Sequence, residues 1–156
     1  MNTKPLNYKN PTFSEGMVTA NQAGEDALTV MKQFIKDDPR WFTVLAYAMN
    51  PRLKSVLPEG APPYKESDFE EGVSFTSVLD AHKTMALFYN KEANKMKVEE
   101  SFIKHLEDMT PDDAKHLIAI KDKTLHTMYD NVTEEVLVNA IGWNWAEYSE
   151  MKKKFS

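Results

Sequence analysis

Apolar residues in this chain recur at intervals of three and four, and nowhere does a sustained run alternate apolar with polar. The first spacing puts side chains on one face of an α-helix; a half-buried strand needs a period of two. One class of fold is therefore consistent with nearly every segment, and the breaks between segments carry helix signals too.

Ala23, Ala27, Val30, Met31, Phe34 and Ile35 predict a helix over 22–37. Asp38-Pro39 ends it and starts another, with the acid as N-cap and the proline at the first helical position. Residues 39–49 carry Trp41, Phe42, Val44, Leu45, Tyr47 and Met49, apolar nearly all round, so that helix belongs in the centre of the domain. Phe75, Val78, Leu79, His82, Met85, Ala86 and Tyr89 line one face of a helix expected over 75–90, followed by a polar link over 91–97. Val98, Phe102, Ile103, Leu106 and Met109 mark the next helix. Thr110-Pro111-Asp112-Asp113 then opens one running to about Lys123: a capping hydroxyl, a proline, and two acids facing the positive end of the helix dipole. Thr133 caps a helix containing Val136, Leu137, Ala140 and Ile141. Past Gly142, Trp143, Trp145, Tyr148, Met151 and Phe155 predict the last one.

Two stretches stand apart. Residues 1–20, with Pro5, Pro11 and Gly16 among polar residues, are expected to form an N-terminal arm, either mobile or laid over the body through Tyr8, Phe13, Met17 and Val18. Residues 58–73 hold three prolines and two glycines and predict a stiff, shaped loop. The expectation is an all-α, compact single-domain bundle of seven or eight short helices over 21–156, with a Pro-rich loop and an arm at 1–20.

Composition sharpens what such a bundle can do. With 156 residues, 42% of them hydrophobic, the chain can fill one core. It has no cysteine, which removes disulfides, thiolate metal sites and cysteine nucleophiles. The longest apolar run, Val44 to Met49, is far short of the roughly 20 residues that span a bilayer, and the first residues show no apolar signal core. The formal net charge of −5 argues against a protein that simply coats duplex DNA.

Searches for catalytic patterns return little. The five glycines are scattered and none opens a phosphate loop; there is no His-Glu-x-x-His pair and no Gly-x-Ser-x-Gly elbow. His82 lies on an apolar face and is expected in the core. His105 and His116 flank a helix link near Glu107, Asp108, Asp112 and Asp113, where capping already accounts for the acids. Glu70-Glu71, Glu99-Glu100 and Glu134-Glu135 point in different directions along their helices and are expected as solvated faces. Met31, Met49, Met85 and Met109 sit at inward positions and are expected as core filling rather than a binding surface. The reading is therefore non-enzymatic, with no metal and no cofactor.

The lysines admit two readings. Lys91, Lys95, Lys97 and Lys104 surround one link, with Asn90 and Asn94 between them; Lys121 and Lys123 lie at a helix end just before His126. Two such loops can grip phosphates across a groove, or the lysines can simply favour the helix dipole.

The pieces LAYAMNPRLKSVLPEGAPPYK (45–65), SFIKHLEDMTPDDAKHLIAIKDKTL (101–125) and VTEEVLVNAIGW (132–143) resemble an uncharacterised family of small proteins from T-even-like tailed phages. Leu-Pro-Glu-Gly-x-Pro-Pro-Tyr (57–64) and Ala-x-Lys-Asp-Lys-x-Leu (119–125) are the most specific parts. The resemblance spans about 25–143 and implies a viral protein working in the host cytoplasm. The order of helices and links (22–37, 39–49, 58–73, 75–90, 91–97, 98–123, 133–143) is also similar to the all-α N-terminal DNA-binding domain of phage ATP-dependent DNA ligases. That domain crosses the minor groove through inter-helix loops and holds backbone phosphates. What it implies here is phosphate contact by Lys91, Asn94, Lys95, Lys121, Lys123 and His126. The chain departs from a ligase: it lacks the Lys-x-Asp-Gly nucleotidyl-transferase motif and has no room for a catalytic domain.

Two functions follow as expectations. One is an accessory protein that binds DNA through inter-helix loops. The other is a phage factor that binds a host or phage protein through an apolar surface, using Tyr64 and Phe69 of the Pro-rich loop or Trp143, Trp145 and Tyr148 near the end.

Overall fold

The computed structural model describes residues 11–70 and 73–156, and among them the fold is all-α, a compact bundle with no strand. The helices are α1 (Phe13–Gln22), α2 (Ala27–Asp37), α3 (Pro39–Met49), α4 (Met85–Phe88), α5 (Lys95–Asp108), α6 (Pro111–Lys121), α7 (Glu134–Ile141) and α8 (Trp145–Phe155). Single 3₁₀ turns lie at Gly24–Asp26, Asp80–Lys83 and Leu125–Thr127. The expected helix starts hold: the side chains of Asp38, Thr110 and Thr133 accept hydrogen bonds from the first turns of α3, α6 and α7. Gly142 ends α7 in the left-handed conformation (φ 95°), which glycine adopts without a Cβ penalty.

The arm expected over 1–20 needs correction. Residues 13–20 are the body of α1; residues 1–10, Tyr8 among them, lie outside the described residues. Thr12 and Glu15 form a reciprocal capping box, so the segment has a proper helix start of its own. Phe13 and Met17 are fully buried, while Val18 faces solvent. Gly16 marks a close approach, not a break: a Cβ there would lie 2.5 Å from the ring of Trp41. Trp41 in turn stacks between Phe13 and Phe34, with ring centroids 4.8 and 5.1 Å away. α3 thus enters the core through Trp41, Val44, Leu45, Ala48 and Met49, but Phe42, expected inward, is 43% exposed, so the helix is not buried all round.

The long helix expected over 75–90 is also absent. In its place are a turn, the 3₁₀ turn Asp80–Lys83 and the single turn α4. Local side-chain and long-range backbone bonds outcompete the helix. Ser77 Oγ accepts from Asp80 N, Thr84 Oγ1 donates to Ala81 O, and the amides of Phe75 and Thr76 both bond to Asp108 O. Val78, Leu79, Ala81, Met85 and Phe88 still reach the core, but Phe75, expected inward, is 80% exposed, and His82 is only half-buried. Met31, Met49, Met85 and Met109 are all core residues.

α6 runs through the middle of the arrangement, packed on α1, α3 and α5. Its first turn receives the chain after the Pro-rich loop, and its last turn receives the loop itself.

Candidate nucleic-acid interface

The six positions proposed for phosphate contact divide into three groups. Lys91 is exposed on the link before α5 and Lys95 is exposed at its first helical position, whereas Asn94 between them is engaged as the cap: its side-chain oxygen accepts from Met96 N and Lys97 N at 3.0 and 3.2 Å.

Lys121 is withdrawn from solvent altogether. Its side chain is 3% exposed, and its ammonium donates to Pro58 O at 2.8 Å, to Gly60 O at 2.9 Å and to Asp122. The other Asp122 oxygen accepts from Gly60 N at 3.0 Å, and the ring of Phe102 lies beneath the ammonium. All three ammonium protons have acceptors, so none remains for a phosphate. The expectation for Lys121 is corrected to a clamp on the Pro-rich loop. The two most specific sequence motifs, 57–64 and 119–125, are the two halves of this clamp.

Lys123 and His126 form the third group. Lys123 follows α6 with a left-handed backbone (φ 61°), its amide bonded to Ile120 O and that of Thr124 to Ala119 O. Its ammonium donates to Tyr47 O and lies 5.2 Å from the centroid of Tyr89. Burial lowers its pKa to about 8. Lys123 and His126 line a small pocket of about 170 Å³ together with Lys54 and Lys152, beside the C-terminal half of α8. Glu134 is the one carboxylate side chain in that wall. Burial pushes Glu134 up, but hydrogen bonds from Lys152 and Tyr148 outweigh burial and hold it below the usual carboxylate range. The fold therefore groups Lys123 and His126 with Lys54 and Lys152, which sequence reasoning did not single out. The signal was thin: Lys54 follows a turn at Asn50-Pro51, and Lys152 belongs to a basic last turn explained by the helix dipole.

A larger cleft of about 520 Å³ lies nearby. Asn50, Arg52, Trp143, Asn144, Glu147, Tyr148 and Met151 line it, with Tyr148 shared between the two hollows. The guanidinium of Arg52 sits 5.5 Å from the ring centroid of Phe155, itself a wall of the cationic pocket.

The aromatic residues expected to bind a protein are also sorted by burial. Tyr148 is a core residue; its hydroxyl donates to Glu134 at 3.0 Å and its ring stacks on Trp145. Tyr64, Trp143 and Trp145 are half-buried against the core. Phe69 is half-buried too, and meets Phe75 edge-on at 4.9 Å. The exposed apolar surface of this region belongs to Phe75 and Val73, at 80% and 62% exposure.

Both histidines near the α5–α6 link are occupied. His105 bonds Ser101 O through Nδ1 and Thr84 Oγ1 through Nε2. His116 is buried beneath Phe13; because Asp112 O can only accept, Nδ1 donates to it and Nε2 accepts from the Tyr129 hydroxyl, each at 2.7 Å. Burial lowers the His116 pKa and keeps the ring neutral. Among the described residues no group of three His, Asp or Glu side chains is placed to hold a metal ion, and no helix is long and apolar enough to cross a membrane.

Residues 17–127 match the model of a family of unknown function, DUF6433; the match takes in both halves of the Lys121 clamp, together with Lys54, Lys123 and His126. No curated protein matches, and no solved structure matches.

Proposed function

This chain belongs to that family of unknown function, and from that premise we propose that it is a non-enzymatic accessory protein that holds the phosphate backbone of DNA. The observation that carries the reading is the pocket walled by Lys54, Lys123, His126 and Lys152, whose one carboxylate side chain, Glu134, already accepts from Lys152 and Tyr148. A net charge of −5 repels a polyanion at long range. A cluster of this kind supplies local attraction within the Debye length, where contact is made. The three lysines that extend α8, Lys152, Lys153 and Lys154, widen the same field. The resemblance to small proteins of tailed phages makes the infected host's cytoplasm the setting of this proposal.

Retention of DNA across a salt series tests it. Binding is expected at low salt and to fall steeply as salt rises. Lys54→Glu, an exposed change, should weaken it and lower the logarithmic salt slope by about 1. Lys91→Glu with Lys95→Glu should do less. No retention at low salt would overturn the reading.

A second reading, a factor that binds a host or phage protein, is favoured by one feature: the exposed Phe75–Val73 surface beside Phe69. Capture of a specific protein that is lost with Phe75→Ser, while DNA is not retained, would select it.

A further inference from the structure

We propose that the cleft beside α8 receives a nucleobase turned out of its stack, so that the strand held by this protein is single, not paired. The inference rests on the nucleic-acid reading above and names what that reading leaves open.

The cleft has the size range of small-molecule sites, about 520 Å³, and a mixed wall. Trp143 and Met151 offer apolar and π-surface. The polar groups are complementary in kind. The Asn50 side-chain oxygen is engaged by Arg52 N at 2.9 Å and that of Asn144 by Glu147 N at 3.0 Å. Each amide therefore has its NH₂ donors to offer, while Glu147 is an acceptor. A set of donors, an acceptor and an indole matches the edge and face of a base, which carries both donors and acceptors on a flat ring. The Arg52 guanidinium, which also lines the cleft and lies over Phe155, is offset by the Glu147 carboxylate, so this wall carries no net positive charge for a phosphate.

The phosphate has a place next door. Tyr148 belongs to both hollows, and the turn after α3 contributes Asn50 and Arg52 to one and Pro51 and Lys54 to the other. A base cleft adjoining a cationic pocket fits one nucleotide with its base splayed away from its backbone. In a duplex that base would first have to leave its pair and its stack, which costs free energy. In a single strand it is already available.

Tryptophan emission provides the test, because Trp41 is buried and Trp145 is not in the cleft wall. The probes are a short mixed-sequence single-stranded oligodeoxynucleotide, the same strand annealed to its complement, and the free mononucleotide. The single strand is expected to quench emission and to bind at least about tenfold tighter than the duplex. Trp143→Phe should remove most of the quench while Trp145→Phe retains it. Trp143→Ala, checked for folding by circular dichroism, should weaken single-strand binding about tenfold. Equal binding of single strand and duplex, with no quench that depends on Trp143, would overturn the base cleft and leave the backbone reading standing. A mononucleotide bound as tightly as the strand would overturn the assignment to a strand. No binding of any probe would overturn both.

Discussion

At the first turn of α6 the carboxylate of Asp113 is 1% exposed and accepts from two backbone N–H groups, Ser14 at 3.3 Å and Val78 at 3.0 Å. At the last turn the ammonium of Lys121 is equally buried and donates to two backbone carbonyls, Pro58 and Gly60. The charges are exchanged, and each stands at the end of the helix whose dipole favours it. Both side chains fasten segments distant in sequence: α1 and the 74–79 turn at one end, the Pro-rich loop at the other. They differ in what balances the charge. Lys121 faces a full counter-charge in Asp122, whereas Asp113 rests on peptide dipoles, with no ion pair among the described residues. Both side chains thus have their polar atoms met by backbone groups, one with a counter-ion beside it and one without.

The largest effect is expected where a counter-ion is left behind. Lys121→Met leaves the Asp122 carboxylate, 11% exposed, with Gly60 N but no counter-charge, strips two carbonyls of their donor, and should lower unfolding stability by about 3 kcal/mol. Chemical denaturation measures it. Lys121→Met with Asp122→Asn should recover part of that loss, because the uncompensated charge is removed with its partner. If the double variant is as unstable as the single one, the carbonyl contacts alone hold the loop.

Asp113→Asn should cost less, about 1–3 kcal/mol, since one amide oxygen remains to accept and no opposite charge is stranded. Its effect should also be local: amide exchange at Ser14 and Val78 should rise before that of the Pro-rich loop. A loss larger than that of Lys121→Met would invert the comparison and make peptide dipoles the stronger anchor.

How much of this was legible in the sequence differs along α6 for the same reason. Thr110-Pro111-Asp112-Asp113 announces a helix start, and α6 begins there. Yet the pattern treats both acids alike, as facing the positive end of the helix dipole, and only Asp112 is exposed. Lys121 and Lys123 look like dipole-favouring lysines at a helix end. Their burial depends on residues 61 and 76 positions earlier in the chain, Gly60 and Tyr47, which no local period encodes. Gly16 misled in the opposite sense, because a glycine that admits a tryptophan ring has the same letter as one that ends a helix. The periodicity found the core of 75–90 but not its backbone, since turn-forming side-chain bonds compete with the helix at Ser77 and Thr84. The cationic pocket was half legible: Lys123 and His126 were in view, but Lys54 and Lys152 reach them only through the fold.

The smallest effect is expected at Phe75. The strap that carries it is fixed by backbone bonds from Phe75 N and Thr76 N to Asp108 O at the end of α5 and from Val78 N to Asp113 in the first turn of α6, none of which involves the ring. The ring itself is 80% exposed and touches Phe69 edge-on. Phe75→Ser should leave the unfolding free energy from chemical denaturation unchanged within about 0.5 kcal/mol. A loss above about 1 kcal/mol would mean that the Phe69–Phe75 pair, and not only the bonds to Asp108 O and the Asp113 carboxylate, fastens this end. The symmetry between the two ends of α6 would then fail, because one would be held by an apolar contact and the other by a buried charge.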